Sequence, residues 1–280
     1  MSIVLSHFQI TPLLQAWRAG ASDAETSLDL NLSQTRVLLD AAGIQFSDEL
    51  RLSWSDAEKI ARDENSCFTL DRAGLDKIKT FSEMTNRAYS LYPTRSAPAM
   101  LVAGFPMHRI QDSDPQRASL AMIKTLAPIT GNALDTATGL GYTALEMAKT
   151  ARHVITIELD PAAQAMCRAN PWSRALFDHP KIEQRIGDAF EIVPTFAANS
   201  FDAILHDPPT MALAGELYSL EFYERLRRVL RPNGKLFHYI GDPLSKFGAG
   251  TTRGVLERLK QAGFKRFKTA PQAFGVTAYK

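Results

Sequence analysis

Beyond residue 112 the apolar and polar positions of this chain settle into a regular alternation of two periods. Short apolar runs of strand length are NALDTAT, HVITIEL, KIEQRIG, FDAILHD and GKLFHYI. Between them lie YTALEMAKTA, PAAQAMCRAN, DAFEIVPTF, SLEFYERLRRVL and RGVLERLKQAG, with apolar residues at helical spacing. A further helix, RASLAMIKTLAPI, precedes the first run. Pro161 sits in a first helical turn, where proline is favoured, and Gly263 marks a helix end. Strands alternating with helices predict right-handed crossovers and a mainly parallel sheet. FKRFKTA and FGVTAY, on either side of Pro271, predict an antiparallel hairpin at one edge. The expectation for residues 113–280 is therefore α/β, a Rossmann-like sheet of seven strands whose last hairpin is antiparallel.

Residues 1–112 read less evenly, as a small α+β domain. TPLLQAWRAG has a helical apolar face that ends at Gly20. TSLDLNL and QFSDELRLSW alternate with period two and predict half-buried strands. SDAEKIARDE predicts a helix capped by Ser55, with Glu58 three residues on. AYSLYPTRSAPAMLVAG, punctuated by Pro93 and Pro98, closes in a short apolar strand.

Composition narrows the class. The chain has 280 residues, 45% of them hydrophobic and 22% charged, as in ordinary globular proteins, and is long enough for a sizeable core. No apolar run reaches the ~18 residues of a membrane span, so no membrane association is expected. MSIVLSHFQI has neither a basic start nor a small-residue cleavage site, and a cytoplasmic location is expected. Cys67 and Cys167 lie far apart and the six histidines are scattered, so neither a disulfide framework nor a metal is expected. Net charge is +2, but residues 1–95 hold 13 acids against 10 bases. Arg253, Arg258, Lys260, Lys265, Arg266 and Lys268 cluster near the C-terminus, either as a phosphate-facing patch or as the solvated face of a helix and an edge strand.

In open α/β sheets ligands sit beyond the carboxyl ends of the strands, so the residues just after each strand carry the chemistry. After the first comes LDTATGLGYTA, in which Gly139 and Gly141 permit a tight turn and close approach of a ligand to the backbone. The helix behind them presents free N–H groups. After the second comes Glu158, 23 residues beyond Asp135 and placed to accept hydrogen bonds from ribose hydroxyls. Asp160 follows, as a cap for the helix from Pro161. After the third come Asp188 and Ala189; Asp188 either accepts an adenine amine or caps the next helix. After the fourth come His206, Asp207, Pro208 and Pro209. Alternation sends His206 and Asp207 to opposite faces, and Asp207 is preferred at the ligand. The absence of a third helix-packing glycine and of a phosphate-binding lysine disfavours dinucleotides and nucleoside triphosphates.

Together these motifs resemble class I S-adenosylmethionine (SAM)-dependent methyltransferases, from Ser119 to the C-terminus, with RVLRPNGKLF and the final hairpin in agreement. DTATGLGYTALE, NPWSR, HDPPTMALAGELYSLEFY and LFHYIGDP, with YPTRSAPAMLVAGFPMHRI upstream, are similar to a set of predicted archaeal-type methyltransferases. The resemblance implies SAM as cofactor, held by Asp135, Thr136, Ala137, Thr138, Gly139, Gly141, Tyr142, Thr143, Glu158, Leu159, Asp188, Ala189 and Asp207. Ala137 departs from the usual glycine, and a slight local shift is expected.

Methyl transfer from a sulfonium needs a nucleophile in line and little else; positioning supplies about 7–11 kcal/mol of the barrier. Asp207 and the Pro208 carbonyl, with Pro209 behind them, suit the two N–H bonds of an amino nucleophile, since proline fixes φ and aims the carbonyl outward. In the methyltransferases that it resembles, Asp-Pro-Pro-aromatic marks amino-group methylation of adenine or cytosine. Thr210 stands at the fourth place and removes that stacking platform. Tyr218, Phe222 and Tyr239 are its replacements, or are core. His108 and Arg109 are placed to line the acceptor pocket or to titrate near neutrality, or else to form a hinge. Trp172 and Arg174 staple their loop to the sheet.

The leading reading is an N-directed methyltransferase acting on a nucleobase in RNA or a similar amine. The alternative is aminopropyl transfer from decarboxylated SAM, because DPPTMALAGELYSLEFY is similar in layout to the gate of spermidine synthases and branched-polyamine synthases also use Asp-Pro-Pro. A third is a non-catalytic, methyltransferase-like subunit.

Overall fold

The computed structural model describes residues 2–242 and 246–280. Pro243, the end of the LFHYIGDP motif, lies outside the described residues. Two compact units emerge from the contacts, residues 1–116 with 162–174, and residues 117–161 with 175–280.

The second unit holds the expected sheet. Its strands are β1 (Asn132–Asp135), β2 (His153–Glu158), β3 (Ile182–Ile186), β4 (Phe201–His206), β5 (Leu230–Tyr239), β6 (Lys265–Ala270) and β7 (Gly275–Tyr279). Their order is β3-β2-β1-β4-β5-β7-β6. The first five are parallel, and β7 pairs antiparallel with both β5 and β6. Strand order reverses between β1 and β4, and that switch point is where open α/β sheets bind ligands. In chain order the helices are α1 (Pro115–Leu126), α2 (Tyr142–Ala148), α3 (Pro161–Ala169), α4 (Ala189–Ile192), α5 (Leu220–Val229) and α6 (Lys246–Gln261). In α5, Phe222, Tyr223, Leu226 and Val229 recur at helical spacing and are fully buried, packing with Val255 and Leu259 of α6 and with Ile204, Leu236 and Val276 of the sheet. β5 begins four residues before the predicted run, and its pairing with β4 is irregular between Phe201 and Ala203. Asn233, in the left-handed region at φ 63°, absorbs the kink.

The basic cluster falls on α6 and on β6, the sheet edge. The register breaks between Lys265 and Lys268, Arg266 lies 4.7 Å over the Tyr279 ring, and Lys260 pairs with Glu257 at 3.0 Å. Charge and a bulge on an edge strand discourage pairing with another chain.

The first unit is built from three antiparallel sheets, the helices His7–Arg18 and Trp54–Arg62, and most of α3. Trp17 and Trp54 stack at 5.1 Å between ring centres. Here the sequence misleads in three places. TSLDLNL is not a strand: the strands are Asp23–Thr26 and Thr35–Asp40. Between them Ser27 accepts the amide of Asn31 at 2.8 Å, Asp29 accepts that of Ser33 at 2.9 Å, and Leu30 and Asn31 have positive φ. Short polar side chains bonding nearby backbone displace the sheet ladder there. QFSDELRLSW is two strands, Gly43–Ser47 and Leu50–Leu52, paired as a hairpin. The cap of the second helix is Ser53, not Ser55: its hydroxyl accepts the Asp56 amide at 3.1 Å and donates to the Asp56 carboxylate at 2.8 Å. Among the described residues no helix is long and apolar enough to cross a membrane.

The cap assignment is open to measurement. Ser53→Ala should lower stability by about 1 kcal/mol, and Ser55→Ala by less than about 0.5 kcal/mol, in urea unfolding. The opposite ranking would return the cap to Ser55.

Candidate functional site

Parallel register brings Asp135, Glu158 and Asp207 to the same lip, at or just past the ends of neighbouring strands β1, β2 and β4. Asp135 is fully buried; its Oδ2 accepts the hydroxyls of Thr143 at 2.8 Å and Thr156 at 3.2 Å, and its Oδ1 accepts the Ala137 amide at 3.4 Å. Burial, outweighing these bonds, pushes its pKa up to about 7. The half-buried Glu158 accepts the amides of Gly139 at 2.9 Å (Oε2) and Asp160 at 3.1 Å (Oε1). Burial raises it to about 7, helped by the charges of Asp160 and Asp135. Asp207 is likewise raised to about 7, by burial first and by Asp135 second. Among the described residues no cation figures in the groups that shift any of the three.

The loop after β1 has the predicted turn. Gly139 and Gly141 take φ 53° and 76°, and a Cβ at Gly141 would meet Leu176 Cδ2 at 2.7 Å. Ala137 is not in the left-handed region, so the site tolerates its side chain. The Thr138 amide donates to the Ile157 carbonyl at 2.8 Å, and its hydroxyl meets that of Thr156 at 2.7 Å, which ties the turn to β2. Tyr142 is buried. Leu159 and Ile186, beyond or at the ends of adjacent strands β2 and β3, are 47% and 46% exposed. Apolar side chains left open there suit a flat ring. Asp188 caps α4, accepting the Phe190 amide at 2.8 Å through Oδ1, and Ala189 beside it is buried.

Past β4, Pro208 is buried and Pro209 exposed. Tyr218 is 5% exposed and its hydroxyl donates to the Pro209 carbonyl at 3.1 Å, closing the loop on itself. The Asp207 charge is among the groups that raise the Tyr218 hydroxyl, after burial, and Tyr239 adds to it, so the three lie together. Phe222 is fully buried core. Tyr239 alone of the three ring candidates is half-buried, its ring 6.5 Å from that of Phe274.

Other expectations change. His108 belongs to the first unit, as does Arg109. The His108 Nδ1 accepts the Met100 amide at 3.2 Å, and burial pushes its pKa down to about 4, so it does not titrate near neutrality. Trp172 does not staple its loop to the sheet: Nε1 donates to the Leu30 carbonyl at 2.9 Å, within the first unit, and the exposed Arg174 faces the Asp29 charge. Sequence reasoning missed the tie between Thr136 and His206, the Tyr218 latch and the exposed Ile186. The Ile186 side chain carries no local signal, because its exposure is set by where β3 ends.

A family model described as a methyltransferase domain matches residues 134–238. Over its full length the chain is similar to the uncharacterized protein MJ1233 of Methanocaldococcus jannaschii, 35% identical over 287 positions that cover 100% of this chain and 98% of that protein. It is similar to polyamine aminopropyltransferase 1 of Streptomyces coelicolor, 34% identical over 40% of this chain and 22% of that protein. A polyamine aminopropyltransferase of Aeropyrum pernix is 31% identical over 34% of this chain and 33% of its own length. The aligned segment thus spans a third or less of both aminopropyltransferases. The spermidine synthase of Thermotoga maritima has the same fold, with a TM-score of 0.58 at 19% identity over 73% of this chain and 74% of that one. A spermidine synthase in complex with the transition-state analogue AdoDATO gives 0.59 over the same shares. The protein is an enzyme of the SAM-dependent class.

The three carboxyls set a pH dependence. Each is raised by folding, so its protonated form is favoured in the folded chain. Its contribution to stability is full below the ordinary values of 3.8 to 4.5 and is lost as pH rises through about 7. Thermal scans of the ligand-free protein should show that loss. A cationic ligand prefers the ionised carboxyls, so calorimetric affinity for SAM should rise about tenfold from pH 6 to pH 8. A flat profile would remove the carboxyls from the binding site.

Proposed function

The chain belongs to the family of the Methanocaldococcus jannaschii protein MJ1233, and we propose that it transfers the methyl group of SAM to an amino nitrogen, of a nucleobase in RNA or of a similar amine. The observation that carries this is the acidic lip. Asp135, Glu158 and Asp207 share one edge of the sheet where burial raises all three, and among the described residues no cation is in the groups that shift them, a donor set that suits a sulfonium nucleoside and an amine.

In this reading Glu158 has lone pairs left for the two ribose hydroxyls while its backbone partners hold it in place. Thr136 to Thr143 form the cradle, and Leu159 and Ile186 flank the base. The remaining oxygen of Asp188 faces the base amine, since capping uses only one. When bound, SAM supplies an electrophilic methyl carbon. Asp207 holds the acceptor amine with its lone pair toward that carbon. The transfer would exchange the C–S bond for an N–C bond, the electron pair leaving with sulfur, and Asp207 would take the surplus N–H proton and pass it to water. A carboxyl near 7 is well matched to that work at neutral pH. Pro208 and Pro209 stiffen the segment that carries Asp207, and Tyr218 holds it closed through the Pro209 carbonyl. Tyr239 is the ring left to meet a flat acceptor.

A second reading, aminopropyl transfer from decarboxylated SAM, is favoured by the similarity to two polyamine aminopropyltransferases over 40% and 34% of this chain. It uses the same residues on a different leaving bond.

The purified protein, given methyl-labelled SAM with total RNA or with a panel of polyamines, should label one acceptor pool. Product from decarboxylated SAM alone would replace methyl by aminopropyl transfer. Asp207→Asn should keep the affinity for S-adenosylhomocysteine within about threefold and lower turnover at least ~100-fold. Glu158→Ala should weaken S-adenosylhomocysteine binding at least ~10-fold in calorimetry. Full turnover of Asp207→Asn would exclude Asp207 from the mechanism.

A further inference from the structure

His206 is fully buried at the end of β4, one residue before Asp207. It makes two hydrogen bonds to segments that border the site. Nδ1 lies 2.7 Å from the Thr136 hydroxyl, in the loop after β1, and Nε2 lies 3.0 Å from the Leu217 carbonyl, at the far end of the loop after β4.

These partners fix the tautomer. A carbonyl only accepts, so Nε2 must carry the ring hydrogen. Burial holds the ring neutral, with its pKa pushed down to about 3. Nδ1 is then a bare lone pair, and the Thr136 hydroxyl must donate to it. The other acceptor near that hydroxyl, the Leu205 carbonyl at 3.4 Å, is at the limit of a hydrogen bond and already takes the Thr136 amide at 3.1 Å. The ring cannot swing to another partner. His238 packs against it at 4.4 Å between centres, and His238 is itself held by the Tyr223 hydroxyl at 2.9 Å from its Nε2. Phe222 closes another side at 5.3 Å.

We propose that His206 is a positioning residue: a neutral imidazole of single tautomer that sets the loop after β1 and the loop after β4 at a fixed separation. With the Tyr218 hydroxyl on the Pro209 carbonyl, this bond brings Leu217 and Tyr218 back against the start of the same loop. Asp207 therefore stands on a segment anchored at both ends, and Thr136 is fixed in backbone and side chain alike. The proposal rests on the reading of residues 135–143 as the nucleoside site.

Two substitutions divide the imidazole into its halves. In His206→Asn the side-chain oxygen falls near Nδ1 and keeps an acceptor for Thr136, while the bond to Leu217 is lost. In His206→Gln the amide nitrogen falls near Nε2 and keeps the donor to Leu217, while Thr136 loses its acceptor. Calorimetry with S-adenosylhomocysteine reads the first loop; amide hydrogen exchange across residues 208–219 reads the second. His206→Asn should bind within about threefold of the parent and exchange faster across 208–219. His206→Gln should keep the parental exchange and bind at least ~10-fold more weakly. Thr136→Val should weaken binding as His206→Gln does, and the double variant should be no weaker than either. A merely structural histidine would move both readouts together in both variants, and that result overturns the proposal. Should both histidine variants fail to fold, Thr136→Val decides alone: parental affinity overturns the clamp. Failure of the parent itself to bind S-adenosylhomocysteine would count against the nucleoside site and is distinct from either outcome.

Discussion

The site depends on how a parallel sheet places charge. Neighbouring parallel strands end together about 4.8 Å apart, so acids that each follow a different strand are forced onto one lip. Asp135, Glu158 and Asp207 come from β1, β2 and β4, which are adjacent although far apart in the chain. Burial there denies them water, and mutual repulsion adds to the penalty on ionisation. Hydrogen bonds offset part of it: hydroxyls of Thr143 and Thr156 at Asp135, amides of Gly139 and Asp160 at Glu158. What they leave uncompensated favours the neutral, protonated carboxyls, a bias that a bound cation would reverse.

Much of this is legible along the chain because it is local. Strand runs, the glycine turn, and an acid after each strand are short-range patterns, and the parallel topology follows from their alternation. Gly139 and Gly141 could be read as turn glycines because only a positive φ makes that turn, and both have one. Ala137 could be read as tolerable because alanine is the smallest departure, and the backbone there asks nothing special of it. The amphipathic stripe of α5 announced its own burial.

The rest depends on partners that no local pattern names. Ser53 and Ser55 both precede an acid by three residues, and which one caps is decided by where the strand Leu50–Leu52 hands over to the helix. TSLDLNL alternates like a strand, but Ser27, Asp29 and Asn31 bond the backbone around them and divert it. Trp172 finds its acceptor at Leu30, more than a hundred residues away. His206 was set aside because alternation turns it from the ligand. The ring reaches the Thr136 hydroxyl and the Leu217 carbonyl, partners that alternation does not name.

Methyl and aminopropyl transfer differ less in what they ask of the protein than their names suggest. In both, an amine attacks a carbon attached to a cationic sulfur, the C–S pair leaves as a neutral thioether, and one proton must depart. An aliphatic amine arrives protonated and must first lose a proton, so it needs a carboxylate base more than it needs a ring. A base amine has no proton to lose before attack and needs stacking to hold it. With Tyr218 and Phe222 committed to the core, Tyr239 is the one ring candidate left to stack, whereas Asp207 near 7 serves an alkylamine directly. The proposed site thus offers Asp207 to the charge of an amine and Tyr239 to the face of a base. The lining of the acceptor side, rather than the nucleoside side, therefore separates the readings.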